Sequence, residues 1–193
     1  MKSTLIPSTT FQPILWSGGI TRELFIFPSE ARYKERDFQF RLSSATVETE
    51  ESEFTVLPGV SRKLMVLSGE ITLLHQDHFT RKLSKFEVDS FEGDWKTTSV
   101  GRCTDFNLMT TGNTSGELYS METSKGQSDL YDLKGDCDCL FVYVFMGTVS
   151  ARIDNIDIFV QQGDLLVITK PEIRNLEIKG MENSELVFVE IRE

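Results

Sequence analysis

Histidine is nearly missing from this 193-residue chain, with only His75 and His78 present. A divalent ion needs several deprotonated ligands converging on it, so no metal site and no cofactor are expected. Cysteine is also scarce. Cys103 stands alone and Cys137 and Cys139 lie in DCDC, an odd count that suits a reducing compartment better than a disulfide framework. Basic residues are outnumbered, 20 against 30 acidic, for a formal charge of -10. Phosphate backbones and anionic lipid are therefore poor partners, and neither nucleic acid nor membrane is expected. No apolar run is long enough to span a bilayer. Near the start, Pro7, Thr9 and Thr10 interrupt the apolar residues before they could form a signal-peptide core, which makes the cytoplasm the expected location. The chain also lacks a GxSxG elbow and a phosphate-cradling GxxxxGKS loop.

What is present is strand signal. Short runs rich in Val, Ile, Phe and Thr, such as FQFRLSSATV (38 to 47), EITLLH (70 to 75), TDFNLMT (104 to 110), LFVYVF (140 to 145) and ELVFVEI (185 to 191), are divided by Gly, Asn, Asp and Ser. One internal repeat stands out. MVLSGEITLLH followed by FEGDW resembles VFMGTVSARID followed by QQGDLLVI, with Gly69 matching Gly147 and Gly93-Asp94 matching Gly163-Asp164. Strand, glycine turn, strand, hairpin, Gly-Asp turn and strand is the order of a cupin or jelly-roll barrel. The expected fold is all-β, a double cupin of two jelly-roll-like β-barrels: an N-terminal half over 1–123, a polar connecting segment over 124–138 and a C-terminal half over 139–193.

Candidate chemistry sits where polar residues interrupt these strands. Arg41, Ser43, Ala45 and Val47 share one face of their strand, with Phe40 and Leu42 on the other. Arg41 either reaches water from an edge or points into the barrel to meet an anion. Asp105 and Asn107 share a face, and Asp105 reads as a counter-ion of Arg41 or Arg62 or as a ligand contact. In WSGGITREL, Thr21 and Glu23 face one way and Arg22 the other, so all three reach one pocket only if the glycines introduce a bulge. His75 and His78 are expected at the exposed tip of a hairpin.

Taken in order, GGITREL, FRLSSATVETEESEFTVLPGVSRKLMVLSGEITLL, FEGD and DFNLMTTG resemble the successive signatures of the HutD/Ves family, across residues 16 to 111. Those signatures run W-K-N-G-G-G-x-T-R-E, W-R-L-S-x-A, F-P-G-x-D-R-x-L-x-L-L-x-G, F-x-G-D and D-F-N-V-M. The resemblance implies a double-cupin fold, a pocket without metal, no established catalytic activity and a regulatory, small-molecule-binding role. It marks Trp16, Thr21, Arg22, Glu23, Arg41, Ser43, Arg62, Asp105 and Asn107 as site candidates. Ser17 stands where the family has Lys-Asn and a further Gly, Phe40 where it has Trp, and Ser61 where it has an acidic residue. Those departures imply a different ligand from the family's.

Three functions follow as expectations. The first is capture of a small carboxylate or amide, gripped by arginine and oriented by Asn and Thr. The second is a metal-independent enzyme, an isomerase or hydrolase, with Glu23 or Asp105 as general base and Arg41 stabilising negative charge. The third is an interaction module whose barrel edges pair with another chain, a homodimer among the options.

Overall fold

The computed structural model describes residues 1–193. In chain order its strands are β1 (Lys2–Ile6), β2 (Pro13–Trp16), β3 (Gly19–Phe27), β4 (Phe40–Val47), β5 (Glu51–Glu53), β6 (Val60–Gly69), β7 (Ile71–His75), β8 (Thr80–Leu83), β9 (Val88–Glu92), β10 (Thr97–Val100), β11 (Cys103–Thr111), β12 (Ser115–Thr123), β13 (Ser128–Asp132), β14 (Cys139–Met146), β15 (Thr148–Ile153), β16 (Ile156–Gln161), β17 (Leu165–Thr169), β18 (Asn175–Gly180) and β19 (Ser184–Arg192). The one helical element is a 3-10 turn at Ser8–Thr10, and no helix is long and apolar enough to cross a membrane.

Two compact units divide the chain, one formed by Phe11–Ser115 and the other by Met1–Thr10 with Gly116–Glu193. In the first, a six-stranded sheet β2-β3-β4-β11-β6-β9 accompanies a four-stranded sheet β5-β10-β7-β8. In the second, β1-β17-β14-β19-β12 accompanies β13-β18-β15-β16. Each strand order is linear, so the sheets are open. All the paired strands described are antiparallel and alternate inward and outward residues, which is how one face of each sheet comes to hold the core.

The two units do not split at 123 and 139. Ser128–Asp132, expected as part of a connecting segment, is the edge strand β13 paired with β18. Only Tyr131 of its five residues is buried, so the strand carries almost no apolar signal. The first ten residues likewise join the second unit, because β1 pairs with β17.

The internal repeat is real, but one of its expected landmarks is displaced. Gly69 and Gly147 match, with φ of 81° and 82° between equivalent strands. Gly163-Asp164, however, is matched by Phe86-Glu87 rather than by Gly93-Asp94. Phe86 N–H donates to Val66 O at 2.7 Å, as Gly163 N–H donates to Val144 O at 2.7 Å. Glu87 Oε2 accepts from Ser84 N–H as Asp164 Oδ2 accepts from Gln161 N–H. Both turns have left-handed central residues, φ 65° at Phe86 and 84° at Gly163. A carboxylate that caps the turn does the same work from Glu as from Asp, and Phe hides the match because it is rarely left-handed.

This registration gives a position-by-position comparison of the two interiors. In the second unit Leu140, Val142, Val144, Ile153, Leu166, Leu176, Leu186 and Phe188 belong to one continuous apolar core. Ladder register pairs Val144 with Leu186, and Val142 with both Phe188 and Leu166. In the first unit the same ladder pairs Val66 with Asp105, and Leu64 with both Asn107 and Asp89. Arg62, Asp105, Asn107, Asp89, His75 and Thr97 thus occupy the places of Leu140, Leu186, Phe188, Leu166, Ile153 and Leu176. The apolar core of the first unit is divided into smaller clusters, one built from Val47, Leu64, Val66, Ile71, Leu73, Leu83, Phe91 and Cys103 and another from Ala31, Phe38, Leu57, Val60 and Met109.

Candidate functional site

The inward face of the six-stranded sheet brings together Glu23, Arg41, Ser43, Arg62, Asp105 and Asn107. Register explains the meeting. Asn107 on β11 lies between Ser43 on β4 and Leu64 on β6, and Glu23 on β3 lies opposite Ser43. Arg41, Ser43, Arg62, Asp105 and Asn107 are all buried.

The two arginines are in different states. Arg41 Nε donates to Glu23 Oε2 at 2.7 Å and its NH1 to Ser43 Oγ at 3.1 Å, while its guanidinium lies 4.4 Å from the Tyr33 ring centre. It is paired and held. Arg62, 6% exposed, makes neither a hydrogen bond nor an ion pair to a carboxylate, and its buried Nε has no partner. The guanidinium carbon sits 4.7 Å from the Phe54 ring centre and 5.2 Å from that of Phe91. Burial pulls its pKa down to about 10, with Tyr33 and the charge of Asp105 opposing and the charge of Arg41 assisting. Met109, cross-strand neighbour of both, separates Arg62 from Arg41.

Asp105 is 2% exposed and is the counter-ion of neither arginine at contact distance. It accepts from Asn107 Nδ2 and, at 3.9 Å, from the Cys103 thiol. Desolvation raises its pKa to about 7, although the charge of Arg62 and the bonds from Asn107, Cys103 and the Ala45 backbone all pull the other way. Asn107 then has a carbonyl Oδ1 that is buried and unpartnered. The site therefore holds one orphaned cationic donor, one orphaned neutral acceptor and one carboxyl poised near neutrality. Buried polar atoms left like this cost stability, on the order of 1–3 kcal/mol each, unless something pairs with them.

The first motif divides. Glu23 joins the cluster with its side chain 33% exposed, but Arg22 is exposed on the opposite face. Thr21 is half-buried beside Ala45, two residues along the strand from Glu23. Trp16, 38% exposed, lies over Gly18, where its ring fills the space a Cβ would take. The bulge in β3 falls between Glu23 and Phe25, not at the glycines. Gly19 instead lets β3 approach β4, since any Cβ there would collide with the Thr46 carbonyl oxygen. So Trp16, Thr21 and Arg22 shape the strand pair rather than the polar cluster.

His75 is not at an exposed tip. It is 3% exposed, with Nδ1 2.8 Å from Thr97 Oγ1 and Nε2 3.0 Å from Asp89 Oδ2. The hairpin turns two residues later, at Asp77 with φ 64°, and His78 stacks on Trp95 there at 3.8 Å. Tyr33 and Phe54, which no signature position marks, and Phe91, the first residue of the FEGD signature, complete the walls around the arginines. Tyr33 comes from a loop that no periodicity places.

Other candidate chemistry is weak. All three thiols are pushed up by burial, Cys103 to about 12 and Cys137 and Cys139 to about 11, which leaves no ready nucleophile. No three His, Cys, Asp or Glu side chains converge, and an arginine occupies the interior beside Asp105, so the residues do not fit a divalent cation. Two concavities lie in the second unit. One of about 140 Å³ holds Arg152 already paired with Asp157 at 2.8 Å, and another of about 270 Å³ lies beside Cys137 and Lys170.

A protein-family model described as HutD matches residues 8–188. Protein Ves of Citrobacter koseri is 36% identical over 103 residues, covering 50% of this chain and 51% of that protein. Protein Ves of Cronobacter sakazakii gives the same identity and covers 50% and 54%. The match thus spans about half the length of these curated relatives. Among solved structures, PA5104 of Pseudomonas aeruginosa PAO1, a protein of unknown function, superposes with a TM-score of 0.85 at 18% identity over 100% of both chains. HutD from Pseudomonas fluorescens SBW25, in a formate condition, gives 0.73 at 18% identity over 99% and 98%. The bacterial pirin YhhW of Escherichia coli, in complex with nickel(II), gives 0.71 at 10% identity over 98% of each. These likenesses establish the cupin-type all-β fold.

Proposed function

The chain belongs to the HutD family, and from that premise we propose that its first unit captures a small carboxylate, with or without an adjoining amide, on Arg62. One observation carries the reading. Arg62 Nε and Asn107 Oδ1 are buried without partners, at positions where the second unit places Leu140 and Phe188 in continuous apolar packing. The same architecture accepts hydrocarbon there, so polar side chains are not a requirement of the fold. A carboxylate would satisfy Arg62 by charge-assisted hydrogen bonds, and an N–H or O–H beside it would satisfy Asn107 Oδ1. The ring faces of Phe54 and Phe91 hold the guanidinium in place for that contact. Arg41, tied to Glu23 and Ser43, acts as a fixed wall rather than as the anchor. The relative HutD from Pseudomonas fluorescens was studied with formate present, in keeping with small-acid capture.

A second reading draws on Asp105. A carboxyl held at about 7 is matched to proton transfer near neutral pH. Under it, a bound acid would be turned over, and Asp105→Asn would abolish turnover while leaving binding intact.

The first reading is tested by thermal shift with formate, acetate and larger carboxylates bearing an amide or imidazole N–H. A ligand at 100 times its Kd stabilises by about 2.7 kcal/mol. The expected outcome is a shift for at least one acid that Arg62→Leu removes. A shift for none of them, or one that survives Arg62→Leu, rejects it.

A further inference from the structure

The second set of polar residues that replaces apolar core in this unit is His75, Asp89 and Thr97. All three are buried, at 3%, 1% and 1% exposure. Asp89 also accepts from Ser90 N–H at 2.9 Å and from Arg81 NH1 at 3.4 Å, through Oδ1, which leaves Oδ2 for His75 Nε2. A carboxylate only accepts, so Nε2 carries the proton, and Thr97 Oγ1 fills the remaining ring nitrogen. The second unit manages the same three places with Ile153, Leu166 and Leu176. The trio therefore does something apolar packing does not.

What directional bonds supply is a fixed ring orientation. Hydrocarbon side chains allow neighbouring rings to tilt, whereas an imidazole bonded at both nitrogens cannot rotate without breaking a bond. Next to that fixed imidazole lies Phe91, its ring centre 4.7 Å away and tilted by 44°. Phe91 also meets the Arg62 guanidinium at 5.2 Å, and Phe54 packs against Phe91 edge-on at 5.8 Å. Phe91 is the cross-strand neighbour of Arg62, as Asp89 is of Leu64. A continuous chain of contact thus runs from Thr97 and Asp89 through His75 and Phe91 to the unpartnered cation.

We propose that His75, Asp89 and Thr97 form a clamp that holds the Phe91 ring and through it orients the Arg62 guanidinium, so that His75 and Phe91 are positioning residues for the anion site. The function of the clamp rests on the reading of Arg62 given above; its mechanical effect on Arg62 does not. A guanidinium with no hydrogen bond of its own has only ring faces to fix it, and an anchor free to swing forfeits the geometry that two parallel bonds to a carboxylate need.

The test replaces the trio by its counterparts, His75→Ile, Asp89→Leu and Thr97→Leu together, in the full chain. Nitrogen-15 NMR follows hydrogen exchange of the Arg62 Nε–H without ligand, and calorimetry follows formate binding. The clamp predicts that the folded variant exchanges the Arg62 Nε–H about tenfold faster and binds formate about tenfold more weakly, with Tm unchanged or raised. Thr97→Ser alone, which keeps the hydroxyl, leaves both as in the wild type. Unchanged exchange in a folded triple variant overturns the clamp. If the wild type binds no formate, calorimetry uses whichever acid of the thermal-shift series it does bind; if it binds none of them the reading of the site fails, while the exchange measurement still decides the clamp. Should the triple variant not fold, Thr97→Val decides in its place: faster exchange supports the clamp, and exchange equal to wild type rejects it.

Discussion

Replacing Asp105 by Asn should change how stability depends on pH. Asp105 has a pKa of about 7 in the folded chain, against 3.8 for the free group. Below pH 3.8 it is protonated in both states and exacts no penalty. As pH rises from 3.8 to about 7, the unfolded chain releases this proton while the folded chain holds it, so stability falls with rising pH; above about 7 the loss is complete and constant. A tenfold change in proton affinity corresponds to about 1.4 kcal/mol, so the roughly thousandfold tighter hold on this proton in the folded chain amounts to about 4 kcal/mol, an upper figure for a group this deeply buried. Asn cannot ionise and keeps the shape and the bond from Asn107. Urea unfolding of both proteins between pH 4 and pH 8 isolates the effect, since the other titrating groups are shared. Asp105→Asn should gain on the wild type with rising pH, by about 4 kcal/mol from one end of the range to the other, and then run parallel above pH 7. Two curves that stay within about 1 kcal/mol of being parallel throughout would refute the assignment of a desolvated, weakly compensated carboxyl.

Two further substitutions probe the frame around the site. Phe86→Gly puts the residue of the equivalent turn into a left-handed position now held by an aromatic side chain at φ 65°, and should raise stability by about 0.5–1 kcal/mol in urea titration. Glu190, fully buried in the second unit, accepts from Tyr131 OH at 2.9 Å, from Lys134 N–H at 2.8 Å and from Arg192 NH2 at 3.1 Å. Removing it by Glu190→Ala should cost about 3 kcal/mol by the same assay and leave formate binding unchanged, because the site lies in the other unit.

Much of the fold could be read directly from residue patterns. Two-residue alternation in FQFRLSSATV and TDFNLMT placed Arg41, Ser43, Asp105 and Asn107 on faces that do turn inward together. The repeat around Gly69 and Gly147 was legible because only glycine is common at such a φ. Its second landmark was not, since the left-handed position that holds Gly163 in one unit is filled by Phe86 in the other. β13 escaped notice because an edge strand with one buried residue looks like a polar linker. HQDH resembles a solvated turn, and only the cross-strand position of Thr97 and the placing of Asp89 on the other sheet reveal the partners of His75. The distinction that matters most, a satisfied Arg41 and an orphaned Arg62, depends on which side chains register sets beside each. Glu23 reaches Arg41, while Met109 stands between the two arginines.

Whether the polar interior of the first unit serves a ligand rather than the fold is decided by exchanging Arg62, Asp105 and Asn107 together for the residues at the equivalent places of the second unit. The variant carries Arg62→Leu, Asp105→Leu and Asn107→Phe, and both proteins are titrated with formate by calorimetry at pH 6 and pH 8. A ligand role predicts saturable heat for the wild type, with tighter binding at pH 6, where Asp105 is mostly neutral, than at pH 8, where its charge competes for Arg62. It also predicts no heat for a variant that is as stable as the wild type or more so. Equal binding by both proteins would contradict that role, as would a variant that has lost its fold.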